Sequence, residues 1–237
     1  MKPEILAALN EAAAARRPVA YAVRLDDGAG FLLPDPDAPQ PAAPEALAAR
    51  AAEMLEADRS GTVAIGGESW FIEARNPKPR LILVGAVHIA QSLAPLAAMT
   101  GFDVAVVDPR RAFASPERFP GIEAIVRWPD EALDSLRPDR GTAVVTLTHD
   151  PKLDDPALNR ALRSDAVYIG ALGSRKTHAA RCQRLGEAGF DAGSIRRIRG
   201  PVGLAIGAVT APEIALSIIA EIVAVRRGGA LSLREAA

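Results

Sequence analysis

Apolar and polar positions follow different periods in successive parts of this chain, and the change of period divides it. Between Arg80 and Asp108 a continuous apolar run (Leu81 to Val84) leads into a turn at Gly85. A stretch paced by Ile89, Leu93 and Leu96 follows, then a second apolar run (Val104 to Val107). Short continuous apolar runs suit strands buried on both faces, and the three-to-four-residue spacing between them suits a helix. The stretch predicts a strand, a helix over His88–Met99 and a parallel strand. Beyond it, strands are expected at Ala124–Val126, Ala143–Leu147, Ala166–Ile169 and near Arg197–Arg199. Helices are expected at Pro129–Leu136, Pro156–Arg163, Lys176–Ala188 and Pro212–Val225. Such alternation implies right-handed crossovers, a parallel sheet, and a ligand crevice outside the carboxyl ends of the strands.

Before Arg80 the pattern is shorter and mixed. A helix is expected over Pro3–Arg16, a strand over Val19–Leu25, a turn at Asp26-Asp27-Gly28 and a return strand at Phe31–Leu33. A second helix over Pro44–Ala57 precedes a hairpin, Thr62–Ile65 and Trp70–Ile72, turning at Gly66-Gly67. Prolines in the run from Pro34 to Pro41 exclude helix and central strand, so that run reads as a loop. Asn76-Pro77-Lys78-Pro79 is a second break. The expected fold class is α/β, a Rossmann-like doubly wound parallel sheet over 80–237 preceded by a small α+β domain over 1–79.

Composition narrows the function. The net charge is −1, which argues against a nucleic-acid or membrane-surface partner. The basic pairs Arg110-Arg111, Arg196-Arg197 and Arg226-Arg227 read as solvated surface. One cysteine, Cys182, excludes an internal disulfide and fits a reducing compartment. The first residues lack the uninterrupted apolar core of a signal peptide, and no later stretch has the length to span a bilayer, so a cytoplasmic protein is expected.

Candidate chemistry gathers at strand ends. Gly85-Ala86-Val87-His88 opens the helix of the first βαβ unit, but Val87 stands where a dinucleotide fingerprint has its second glycine. Asp108 ends the second strand about twenty residues on, where such folds place the acid that accepts from a ribose hydroxyl. His88 falls in the first helical turn, and His149-Asp150 closes another strand. Gly173-Ser174-Arg175 combines a glycine turn, a hydroxyl cap and cations at a helix start, which is an anion nest. His178 and Cys182 share a helix face, but Ala179, Cys182 and Leu185 form an apolar stripe, so the cysteine reads as core and no metal site is expected. Thr210-Ala211-Pro212-Glu213 reads as a capping box. Glu221 needs a buried partner, and the glycine-punctuated loop from Gly200 to Gly207 is placed to close the crevice. No catalytic residues are assigned.

Four segments together resemble the XdhC/CoxI family: Val84-Gly85-Ala86-Val87-His88-Ile89-Ala90, Thr148-His149-Asp150, Tyr168-Ile169-Gly170-Ala171-Leu172-Gly173-Ser174-Arg175, and Pro201-Val202-Gly203-Leu204 leading to Pro212-Glu213-Ile214-Ala215. Members of this family are maturation factors of molybdenum hydroxylases such as xanthine dehydrogenase and carbon monoxide dehydrogenase. The resemblance covers roughly residues 80 to 228. It implies a dimeric accessory protein that binds molybdenum cofactor (molybdopterin) transiently while a cysteine desulfurase sulfurates it, then passes it to the hydroxylase large subunit. Residues 1–79 show neither the glycine-serine-rich segment nor the Gly-Cys-Val-Glu-like stretch of many longer relatives, and Ala205 stands where relatives often have an acid. The residues alone also leave open an NAD(P)-binding oxidoreductase and a ligand-free interaction subunit.

Overall fold

The computed structural model describes residues 2–34 and 43–229, so most of the proline-rich run from Pro34 to Pro41 lies outside the described residues. It divides into two units, Met1–Pro77 and Lys78–Ala237.

The first unit holds helix α1 (Pro3–Ala14), strands β1 (Val19–Arg24) and β2 (Gly30–Leu33), helix α2 (Glu45–Glu56), and strands β3 (Gly61–Ile65) and β4 (Glu68–Arg75). The strands form an antiparallel sheet in the order β2-β1-β4-β3. Gly66 and Gly67, at φ +61° and +84°, supply the left-handed turn that the β3–β4 hairpin needs. Leu47, Ala51 and Leu55 of α2 close over Ala20, Trp70 and Ile72 of the sheet.

The second unit begins with β5 (Arg80–Val84), α3 (His88–Met99), β6 (Asp103–Val107), β7 (Glu123–Ile125) and α4 (Pro129–Leu136). It continues through β8 (Thr142–Thr146), α5 (Pro151–Leu162), β9 (Tyr168–Ala171), α6 (Arg175–Glu187), α7 (Ala192–Ile195), β10 (Ile198–Arg199) and α8 (Ala211–Arg226). Its six strands lie in the order β10-β9-β8-β5-β6-β7, and every pairing is parallel. Alternate side chains of each strand supply two apolar layers. Leu81, Leu83, Val104 and Val106 pack with Leu93 of α3 and Ile218 and Ile222 of α8. Ile82, Val84 and Val107 pack with Leu133, Leu158 and Leu185 on the other face. The chain winds outward from β5 through β6 and β7, then returns to wind the other way from β8. The topological switch point therefore falls between β5 and β8, where an open α/β sheet leaves a ligand crevice.

The helices of the first βαβ unit and after β7 run as the sequence pattern predicts. Helix α5 starts at Pro151 rather than Pro156, because Asp150 caps it and accepts from the Lys152 amide at 2.9 Å. Proline in the first helical position is compatible with that start. The capping box forms, with Thr210 and Glu213 exchanging hydrogen bonds at the head of α8. No helix among the described residues is long and apolar enough to cross a membrane.

Candidate functional site

Four loops meet at the carboxyl ends of the strands: Gly85–Val87 after β5, Asp108–Arg110 after β6, Thr148–Asp150 after β8, and Leu172–Ser174 after β9. Gly85 and Thr148 face each other across the switch point. Gly85 sits at φ +107°, and a Cβ there would overlap the Thr148 Cγ2 methyl, so only glycine lets these loops approach so closely. On the other side, the Ala86 amide donates to Asp108 Oδ2 at 2.9 Å. His149 takes a left-handed conformation at φ +61°. Its Nδ1 lies 3.7 Å from where a Gly173 Cβ would stand. The strand ends therefore bring Gly85 against Thr148, Ala86 against Asp108, and His149 beside Gly173.

The remaining predicted residues lie at the same ends of the strands and at the helix starts that follow them. Val87 is the N-cap of α3 and makes no side-chain cap, so among the described residues the first-turn amides gain no cap from it. The Val87 side chain packs partly against the apolar layer that contains Leu93. His88 is exposed at the first position of α3. Ser174 caps α6 by accepting from the Thr177 amide at 3.1 Å, and Arg175 is exposed beside it. Among the described residues no hydrogen bond joins His149 to Asp150, whose carboxylate is the cap of α5.

Asp108 is fully buried, at 0 % exposure. Burial alone would push its carboxyl up, but the Arg110 guanidinium and the amides of Ala86 and Arg110 outweigh that and hold it below the usual carboxylate range. Arg110 forks onto it through Nε to Oδ1 at 2.9 Å and Nη2 to Oδ2 at 2.8 Å. The guanidinium also lies over Phe113, 4.2 Å from the ring centroid. Arg110 is exposed, as expected of a surface cation, but two neighbours hold it in one orientation. Arg197 is also exposed, and it donates to the carbonyls of Leu162, Ser164 and Ala166.

Beneath the loops lies a buried polar pair that sequence reasoning missed. Asp154 of α5 accepts from Thr148 Oγ1 at 2.6 Å, and Arg181 of α6 approaches its other oxygen at 3.6 Å. Arg181 Nη2 donates to the Leu172 carbonyl at 2.9 Å. Burial raises the Asp154 carboxyl, and neither the Thr148 bond nor the Arg181 charge fully offsets it. The pair ties the loop after β8 to the loop after β9. Its presence corrects the reading of α6. Ala179 is exposed and Cys182 half-buried, while Arg181 and Leu185 face inward. Cys182 Sγ lies 3.5 Å from His178 Nε2, and burial lowers the His178 pKa. Among the described residues no group of three or more His, Cys, Asp or Glu is placed to hold a metal ion.

Glu221 finds the partners that its position on an apolar helix demands. Tyr168 Oη and the Gly203 amide both donate to it, and burial with the Glu221 charge pushes the Tyr168 hydroxyl far up. The loop from Gly200 to Gly207 is pinned by the Val202 amide to Ala171 and by the Leu204 amide to Ser217, so it is anchored to β9 and α8.

Comparison with known proteins agrees with this architecture. The sequence model of the XdhC Rossmann domain matches residues 81–222, more than half of the chain. The chain is 36 % identical over 175 residues to the Escherichia coli protein YqeB, covering 72 % of this chain and 31 % of that protein. It is 37 % identical over 150 residues to the molybdenum cofactor insertion chaperone PaoD of Escherichia coli, covering 63 % and 41 %. With a probable xanthine dehydrogenase subunit of Bacillus subtilis it shares 39 % over 158 residues, covering 66 % and 46 %. A crystal structure of a Bacillus halodurans protein described as a xanthine dehydrogenase superposes with a TM-score of 0.71 at 25 % identity, covering 95 % of this chain and 67 % of that one. The chain thus spans less than half the length of each of these curated relatives.

Proposed function

The chain belongs to the XdhC Rossmann domain family, and from that membership we propose that it is an accessory protein that binds molybdenum cofactor and delivers it to a molybdenum hydroxylase. The observation that carries the reading is the cluster of loops at the switch-point strand ends, where Gly85 lies against Thr148, Ala86 against Asp108 and His149 beside Gly173, with two anion-binding features at the same end of the sheet. These are the uncapped amides at the head of α3 and the cations at the head of α6. Such groups fit the phosphate end of a phosphorylated pterin. Nothing among the described residues at the strand ends offers a thiolate to the metal, since Cys182 lies two turns into α6 beside His178. In this reading the residues at the strand ends would hold the pterin and phosphate, with the molybdenum end open to modification.

In this reading Val87, His88, Asp150, Ser174 and Arg175 complete the rim of the crevice. The hydroxylase large subunit receives the cargo, a cysteine desulfurase supplies sulfur, and the protein works as a cytoplasmic homodimer. A nicotinamide enzyme would use the same strand order, but Val87 replaces the second fingerprint glycine and the Asp108 oxygens are already filled. The test is reconstitution. A cofactor-free hydroxylase should gain activity from cofactor supplied on this protein faster than from free cofactor, and equal rates would remove the delivery role.

A further inference from the structure

Dinucleotide-binding folds place at the end of the second strand a carboxylate that accepts from a ribose diol. Asp108 holds that place but cannot act that way. Its Oδ1 accepts from the Arg110 amide and Arg110 Nε, each at 2.9 Å. Its Oδ2 accepts from the Ala86 amide at 2.9 Å and Arg110 Nη2 at 2.8 Å. A carboxylate has about four lone-pair sites, and all are taken by the chain itself.

What this strand end presents is the guanidinium. Of its five N–H groups, Asp108 uses Nε–H and one on Nη2. Both hydrogens of Nη1 and the second of Nη2 have no hydrogen-bond partner among the described residues. The side chain is 43 % exposed. Phe113 beneath and Asp108 behind fix its plane, so little side-chain entropy remains to be lost on binding. Asp150, across the switch point, is the carboxylate that competes for this charge. It already accepts the Lys152 amide. Arg175 and Lys176, at the head of α6, add positive charge to the same end of the sheet.

We infer that Arg110, and not Asp108, reads the ligand at this strand end, and that it takes a phosphate monoester where a dinucleotide fold takes a ribose diol. Asp108 is then a positioning residue that aims the guanidinium. The inference rests on the proposed reading only in treating the switch-point crevice as the ligand site.

Two pterin probes that differ by one phosphate test it: neopterin and its phosphate monoester, titrated calorimetrically against the full chain. The wild-type protein should favour the phosphorylated probe by about tenfold or more, as a charge-assisted hydrogen bond is worth. Arg110→Lys should keep part of that preference and lose the fork. The double variant Asp108→Asn/Arg110→Met, which removes the buried charge together with its partner, should bring the two probes within about twofold of each other. Circular dichroism reports whether each variant folds. Equal binding of both probes to the wild type, no binding of either at millimolar concentration, or a preference that survives in the double variant would each overturn the inference. Molybdenum loading of the same preparations separates the two claims. Loading without phosphate discrimination leaves delivery standing and removes the role of Arg110; discrimination without loading does the reverse.

Discussion

Asp154 and Arg181 face each other at 3.6 Å with both side chains only 2 % exposed, and between them they join two of the loops that form the crevice. The separation is too long for a hydrogen bond, so the pair is held by charge and by its outer partners, Thr148 and the Leu172 carbonyl. Arg181→Met leaves a buried carboxylate without its cation and should cost about 3–5 kcal/mol. Adding Asp154→Leu should recover most of that loss. Denaturant unfolding of the two variants measures both numbers, and a single-variant cost below about 1 kcal/mol would mean that the pair holds nothing.

The two buried aspartates should respond to pH in opposite directions. Asp154 has its folded pKa raised above 3.8 by burial. Its contribution to stability is present below that value and is lost as pH rises through the folded pKa. Asp108 is also raised by burial, but the Arg110 guanidinium and two amides reverse the shift to a net lowering. Its contribution is present above 3.8 and is lost as pH falls through the folded pKa. Unfolding measured across about pH 3 to 7 should therefore show that Asp154→Asn gains on the wild type as pH rises. Asp108→Asn should lose on it over the same range. Parallel curves for all three proteins would show that neither carboxylate is coupled to folding.

Glycines at the crevice should tolerate substitution less well than glycines elsewhere with similar backbone. Gly85→Ala introduces a Cβ that overlaps Thr148, on a residue at φ +107°. The expected cost is about 1–3 kcal/mol or more. Gly121→Ala, at φ +72° with nothing within 4 Å of the new methyl, should cost only the backbone strain, on the order of 1 kcal/mol. Thermal unfolding of the pair checks the difference. Equal losses would show that the contact between the β5 and β8 loops is not tight.

Much of the fold is legible because buried parallel strands and amphipathic helices leave different periods in the sequence. Leu81 to Val84 and Val104 to Val107 face apolar layers on both sides, so their continuous apolar runs mark them without ambiguity. Helix α7, four residues long, leaves too little periodicity to detect. The pattern places the start of α5 too late because Pro156 resembles a first helical position, although Pro151 and the Asp150 cap supply the real one.

The crevice is legible where glycine is required, at Gly85 and Gly173, and at the strand-end acid Asp108. Arg110 and Arg181 are not, because an arginine's sequence neighbours do not show whether a carboxylate reaches it. Arg110 carries one usable signal, its position two residues after Asp108. Arg181 carries none: its partner Asp154 lies 27 residues earlier, on a different helix, and only the packing of α5 against α6 brings them together.

The central claim is that the strand-end crevice carries molybdenum cofactor. It is tested most directly by purifying the protein anaerobically from cells that make the cofactor, then measuring molybdenum and pterin on the wild type and on Gly85→Ala. The account predicts molybdenum and pterin in equal amounts on the wild type and a marked loss of both from a folded Gly85→Ala variant. Wild-type protein that carries neither above background, or a folded variant that retains the full load of both, would contradict it.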